Sequence, residues 1–231
     1  MKQSIILVAL LLAFSSIGCF RKTEPQFLYP GQNASFEEKD ISYEGTVKYE
    51  ITDAYITNTS GNEDINLNFI DEHASIMYEN SSGKVEEVNR DGFLNSDGSL
   101  GYGAKMYVLH VKFTNIDAEY KHYKEDGFHT PYVFRADNLF MNFVNEKGKA
   151  VLSKSVSYYS NRQEGDHTWS TFELNPGETT EYDIGYIAGS VYRDNGVNYY
   201  LDECTPLISS SMGGLEQSAV QYQIKWKDKR Q

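Results

Sequence analysis

The sequence predicts an all-β fold, a sandwich of about seven to nine antiparallel strands with long loops. Three observations lead there. Residues 106–115 alternate, placing Tyr107, Leu109, Val111 and Phe113 on one face of an extended strand and His110, Lys112 and Thr114 on the other, because successive strand side chains point to opposite sides. Near the C-terminus Val220, Tyr222, Ile224 and Trp226 repeat that alternation. Between such runs, turn signals recur at Gly148 after Glu146-Lys147, at Asn175-Pro176-Gly177 and at Asp194-Asn195-Gly196, each with a residue able to take a positive φ. Almost no stretch carries the 3.6-residue period of an amphipathic helix.

In chain order, Lys2, an apolar run over residues 5–14 and the small patch Ser15-Ser16-Ile17-Gly18 lead to Cys19. A run of that length falls short of the ~20 residues a permanent spanning helix needs, and its flanks are those of an export signal. The end Ser16-Ile17-Gly18-Cys19 resembles the bacterial lipobox, with Ser16 where a large aliphatic residue is usual. That resemblance implies cleavage after residue 18 and lipidation of Cys19. Acyl chains contribute roughly 0.8 kcal/mol per buried methylene, so two or more make a stable anchor. The expected partner is therefore a membrane, reached through the N-terminal lipid, and the expected location is the extracytoplasmic side of a bacterial cell membrane.

Residues 19–40, polar and broken by Pro25, Pro30 and Gly31, read as a flexible tether ahead of one domain over 41–231. The first expected strand, 45–57, alternates as Val47, Tyr49 and Ile51 and then shifts phase to Ala54 and Ile56, the mark of a bulge or a bend in that strand. Residues 58–105 form an insertion-like segment with one strand at 74–79. Further strands are expected at 105–115, 132–145, 150–160, 168–174, 178–188, 198–204 and 220–227.

Charge narrows the function classes. The chain carries 21 Lys and Arg against 33 Asp and Glu, a net charge of −12, and cleavage before Cys19 makes it one unit more negative. Nucleic-acid binding needs clustered cations, and the only cluster is Lys225, Lys227, Lys229 and Arg230, so no nucleic-acid partner is expected. The acidic balance reads as solubility on an exposed protein. With Cys19 lipidated, Cys204 has no cysteine to pair with, and the core must hold the fold without a disulfide. Cys204 is expected as a small buried apolar residue, since no His or Lys stands near it in sequence to lower its pKa.

Several of these features occur together in one family. A first strand over 46–55, a strand ending in Phe113-Thr114-Asn115, the turn Asn145-Glu146-Lys147-Gly148 and the sequence Leu174-Asn175-Pro176-Gly177-Glu178 resemble the telokin-like, immunoglobulin-type domain of unknown function found in Gram-positive lipoproteins. The resemblance covers residues 45–227 and implies an immunoglobulin-like sandwich. That family has no assigned catalytic residues, so the resemblance implies none here.

Each candidate site has a plainer structural reading beside it. The segment 91–103 is rich in oxygen ligands and glycine, with Asp91 and Asp97 as candidate Ca²⁺ ligands, but Phe93 stands where an EF-hand loop needs its second ligand, and two successive Asp-Gly turns explain it better. His122, His129 and His167, with Glu125, Asp126, Glu164 and Asp166 nearby, lack the spacing of a zinc site and read as solvated loop histidines. Ser81 and Lys84 match Ser-x-x-Lys without its companion motifs, so they read as turn residues. Aromatic residues in expected loops, namely Tyr120, Tyr123, Phe128, Tyr132, Tyr158, Tyr159 and Trp169, are the candidate binding patch for a protein or glycan, because rings with polar tips suit flat recognition surfaces. The expected function is a non-catalytic binding or interaction module without a cofactor. The rival classes are a carbohydrate-binding or hydrolytic surface protein, marked by an aromatic cleft with facing carboxylates, and a purely structural envelope protein.

Overall fold

The computed structural model describes residues 26–28, 32–39, 43–59, 65–66, 69–120, 132–135, 139–160, 171–209 and 221–230. It is 61 % strand and 6 % helical, which establishes the all-β class. The elements run β1 (Gln26–Leu28), β2 (Gln32–Lys39), β3 (Tyr43–Thr57), β4 (Ser75–Glu79), β5 (Val85–Asn89), a helical turn α1 (Arg90–Phe93), β6 (Lys105–Asn115) and β7 (Glu119–Tyr120). After these come β8 (Tyr132–Arg135), β9 (Phe140–Val144), β10 (Ala150–Lys154), β11 (Tyr158–Tyr159), β12 (Thr171–Leu174) and β13 (Thr179–Ala188). The chain closes with β14 (Val191–Asp194), β15 (Val197–Tyr200), a 3-10 turn at Leu201–Glu203, β16 (Thr205–Ser209), β17 (Gln221–Ile224) and β18 (Lys227–Asp228).

The larger sheet has the order β11-β13-β6-β3, with β2, β7 and β18 also paired to β3, and the second sheet has the order β1-β17-β16-β9-β10. One apolar cluster joins them. It takes Val47, Tyr49, Ile51 and Ala54 from β3, Tyr107, Leu109, Val111 and Phe113 from β6, Ile184 and Tyr186 from β13, and Met141, Phe143, Ile208, Tyr222 and Ile224 from the facing sheet. The four alternating β6 residues are at most 5 % exposed, and β6 lies at the middle of its sheet as the alternation requires. The phase shift in β3 is a bulge, with the register to β6 slipping between Ile51 and Asp53. The three expected turns take positive φ at Gly148, Gly177, Asn195 and Gly196.

Several expectations are corrected. The segment read as a tether carries two strands: β2 pairs antiparallel with β3 over eight residues, and β1 pairs parallel with β17. Edge pairing rests on backbone hydrogen bonds, so a polar, Pro-broken sequence can supply it without the side-chain period that marks a buried strand. The expected strand at 132–145 splits into β8, which pairs antiparallel with the distant β12 in a separate two-stranded sheet, and β9 in the second sheet. That at 150–160 splits into β10 and β11, which lie in different sheets, so the chain crosses between layers at 155–157. The expected strand at 198–204 is β15 followed by a 3-10 turn. Unanticipated strands include β5, polar at two successive positions, and β16, which contains Pro206 and still pairs with β9 through 205–209.

The insertion-like segment builds a second core. Ile65, Ile70, Ala74, Ile76, Phe93, Leu100 and Ala104 pack with Tyr55, Met106, Val108, Tyr158 and Ile187 from the larger sheet. Met106 and Val108 alternate with Tyr107 and Leu109, so this half of β6 is buried on both faces. The insertion is thus a cap over the outer face of the larger sheet. Its seating is close: a Cβ at Gly189 would lie 1.9 Å from the Met77 carbonyl oxygen of β4. At the other end of β3, Gly45 takes φ +140 and a Cβ there would lie 2.4 Å from Ala118 Cα, so only glycine lets these two backbones meet.

Candidate functional site

Three sets of polar side chains are fixed by this frame. The first is at the end of β6. Asn115 is fully buried; its Nδ2 donates to the carbonyls of Ala118 (3.0 Å) and Leu174 (2.8 Å), and its Oδ1 accepts from Ala118 N (2.7 Å). Its backbone N donates to Glu178 O and its carbonyl accepts from Gly177 N. The Glu178 carboxylate in turn accepts from Asn175 N and Nδ2, which holds it below its ordinary pKa. The strand-ending Asn and the Leu-x-Pro-Gly-Glu turn are therefore one clamp, and its chemistry is structural.

The second set lies on the outer face of the larger sheet, beyond the cap. His110 stands in register between Asp53 of β3 and Asp183 of β13, and its Nδ1 contacts Asp183 Oδ1. Lys227 Nζ is 2.6 Å from Asp53 Oδ1. Burial opposes charge on Asp53, but hydrogen bonds from Lys227 and the Ala54 N–H, with the charges of Lys227 and Lys229, hold its carboxyl below the usual value. These are cross-strand pairs of the kind that stabilise a half-exposed sheet face.

The third set belongs to the cap and was not legible as a site in the sequence. The β4–β5 hairpin closes through Asn80, whose Oδ1 accepts from Ser82 N and Lys84 N, so Ser81 and Lys84 are turn residues. Beyond α1 the chain makes a tight turn in which Ala104 N bonds Gly101 O, with Tyr102 at φ 56 and Gly103 at φ 70 between them. Two consecutive positive φ values belong to a type I′ turn, where Asn and Gly are the usual occupants. A bulky aromatic there is an outlier. The Tyr102 ring lies 4.3 Å from the Tyr78 ring, tilted by 43°, and Tyr102 is 49 % exposed. Tyr78 donates its hydroxyl to Glu86 Oε2 (3.1 Å), and that bond, with burial second, raises the phenol's pKa. Nearby on β4, Glu79 Oε2 accepts from the Tyr200 hydroxyl at 3.0 Å. Tyr200 is 44 % exposed.

The sites named from the sequence fall differently. Tyr158 is 1 % and Tyr159 6 % exposed; Tyr158 belongs to the cap core, and Tyr159 to the main core against Tyr182. Neither serves a surface patch, because β11 at the edge of the larger sheet is covered on both faces. Tyr120 and Tyr132 sit in β7 and β8, described by backbone alone. Tyr123, Phe128, Trp169, His122, His129, His167 and Cys19 lie outside the described residues. Asp91 falls in the first turn of α1, and Asp97 Oδ1 accepts from Ser99 N and Oγ. Of the two Asp-Gly pairs, the first is thus in a helical turn capped by Asn89. The second is a turn closed by Gly98 N on Asn95 O. Among the described residues no group of three or more His, Cys, Asp or Glu stands in an arrangement that could hold a metal ion. Cys204 is half-buried against the main core, and burial pushes its thiol pKa up.

Comparison with protein-family models, curated proteins and solved structures gives no match.

Proposed function

We propose that this chain is a lipid-anchored, extracytoplasmic binding module of a bacterial cell envelope, built on an immunoglobulin-like, telokin-like sandwich and without chemistry of its own. The observation that carries the anchor is the succession of Lys2, the apolar run 5–14 and Ser16-Ile17-Gly18-Cys19. The immunoglobulin-like assignment is supported by the clamp of Asn115 on Leu174 and Gly177, which puts in contact the two features on which the family resemblance rests. A binding role draws support from the division of labour among polar groups. Asn115, Glu178, Asn80 and Asp97 hold strand ends and turns, while tyrosines stand half-exposed on the cap.

The test is labelling of bacteria expressing the full-length chain with an alkyne-tagged fatty acid, followed by fractionation. The wild-type chain takes the label and sediments with membranes, and Cys19→Ala does neither. A labelled Cys19→Ala chain, or an unlabelled wild type in the soluble fraction, rules out the anchor. Photo-crosslinking from surface positions on intact cells tests the binding role, and no adduct from any position excludes it.

A further inference from the structure

We propose that the cap over the larger sheet is a docking surface for a cationic protein segment, anchored by an arginine or lysine stacked on the Tyr78–Tyr102 pair. The idea deepens the binding-module reading and rests on it. Charge complementarity selects the occupant. The described residues of 58–104 hold seven carboxylates against Lys84 and Arg90, a net charge of −5. Such a surface repels phosphates and anionic lipid headgroups and draws cations to it.

The aromatic pair supplies the anchor that charge alone lacks. Tyr102 is held in a left-handed turn position, so its half-exposed ring is set by the backbone and by contact with Tyr78. Tyr78 is oriented in turn by Glu86. An aromatic face beside the Glu86 carboxylate matches a guanidinium twice, by stacking on the ring and by hydrogen bonding to Glu86 in competition with Lys84, whose Nζ is 2.9 Å from Glu86 Oε1. Glu79 and Glu87, exposed on the same hairpin, alternate with Tyr78 and Glu86 along the strands and so add charge from its other face.

The test is fluorescence anisotropy of the full-length chain in a non-ionic detergent, with a labelled oligoarginine peptide, an oligoglutamate peptide and a neutral chitin oligosaccharide as probes. Tyr102→Gly removes the ring, keeps the net charge and relieves the φ strain, so the variant is expected to fold. Oligoarginine is expected to bind, Tyr102→Gly to weaken it about 2- to 30-fold, and Ile116→Ser, at another exposed apolar position, to leave it unchanged. The triple variant Glu79→Gln, Glu86→Gln, Glu87→Gln flattens the salt dependence. Equal affinity of Tyr102→Gly and wild type refutes the anchor, and tighter binding of the chitin oligosaccharide refutes the choice of occupant. On intact cells, a photo-crosslinker at position 102 separates the two readings. Adducts elsewhere but none at 102 remove the docking surface and leave the binding module standing, and no adducts anywhere remove both.

Discussion

Asn115 carries more of the fold than its single side chain suggests. Its amide satisfies two carbonyls and one N–H in a site closed to water, and an unsatisfied buried polar group costs about 1–3 kcal/mol. Asn115→Ala removes all three bonds, so a loss of about 2–3 kcal/mol in urea-unfolding stability is expected, with a cooperative transition retained. A loss under about 0.5 kcal/mol would mean that water replaces the amide. The sequence showed that a strand ends at Asn115 and that a turn lies at 174–178. It did not show that the two touch, because a contact across 59 residues leaves no local pattern. Tyr102 was missed for the same reason: a tyrosine between two glycines in a polar loop reads as a turn, and only the φ of 56 and the ring of Tyr78 mark it out.

At the scale of elements, the cap is held by shape as well as by apolar burial. Gly189 admits the Met77 carbonyl of β4 to within 1.9 Å of where a Cβ would stand. Lys154 Nζ donates to Ser75 O at 2.9 Å, with burial pushing the lysine's pKa down. Gly189→Ala therefore drives β4 off the sheet, at a cost of about 1–3 kcal/mol or more. Hydrogen exchange is the discriminating readout: amides of β4 and β5 lose protection first, while those at the centre of β6 keep theirs. Equal loss in β4 and β6 would show that the cap and the sandwich open as one unit. Elements with strict alternation were legible down to the residue, as in β6, and so was the bulge in β3. Edge strands were not. The pairing of β2 with β3 and of β1 with β17 is made by backbones, and a sequence pattern records side chains.

Four of the described tyrosines, all in the main core, form a buried, neutral set. Burial raises the phenols of Tyr49, Tyr107, Tyr159 and Tyr186, that of Tyr107 to about 12. A phenol that ionises only after unfolding leaves the unfolded state with fewer protons, so its contribution is complete below pH 10 and disappears as pH rises toward the folded pKa. Each such group removes about 1.4 kcal/mol per pH unit over that window. Stability should therefore be flat with respect to these groups at neutral pH and fall steeply between about pH 10 and 12. Tyrosinate absorbance should appear together with loss of the β signal in circular dichroism. A gradual absorbance rise that precedes unfolding would mean that these phenols are open to water.

By itself the sequence determined the class of fold, the central strand with its buried face, the bulge after Ile51 and the turns at Gly148, Gly177 and Asn195-Gly196. Each of these is written in periods of two residues or in single residues with special backbone freedom. Only the tertiary structure decided that the described residues of 58–105 fold back as a cap, that Tyr158 and Tyr159 lie inside it and the sandwich, and that Tyr78 and Tyr102 meet on its surface. Those outcomes depend on which sheet face is left apolar once the two sheets have closed. That is a property of the assembled layers, and no stretch of the chain carries it alone.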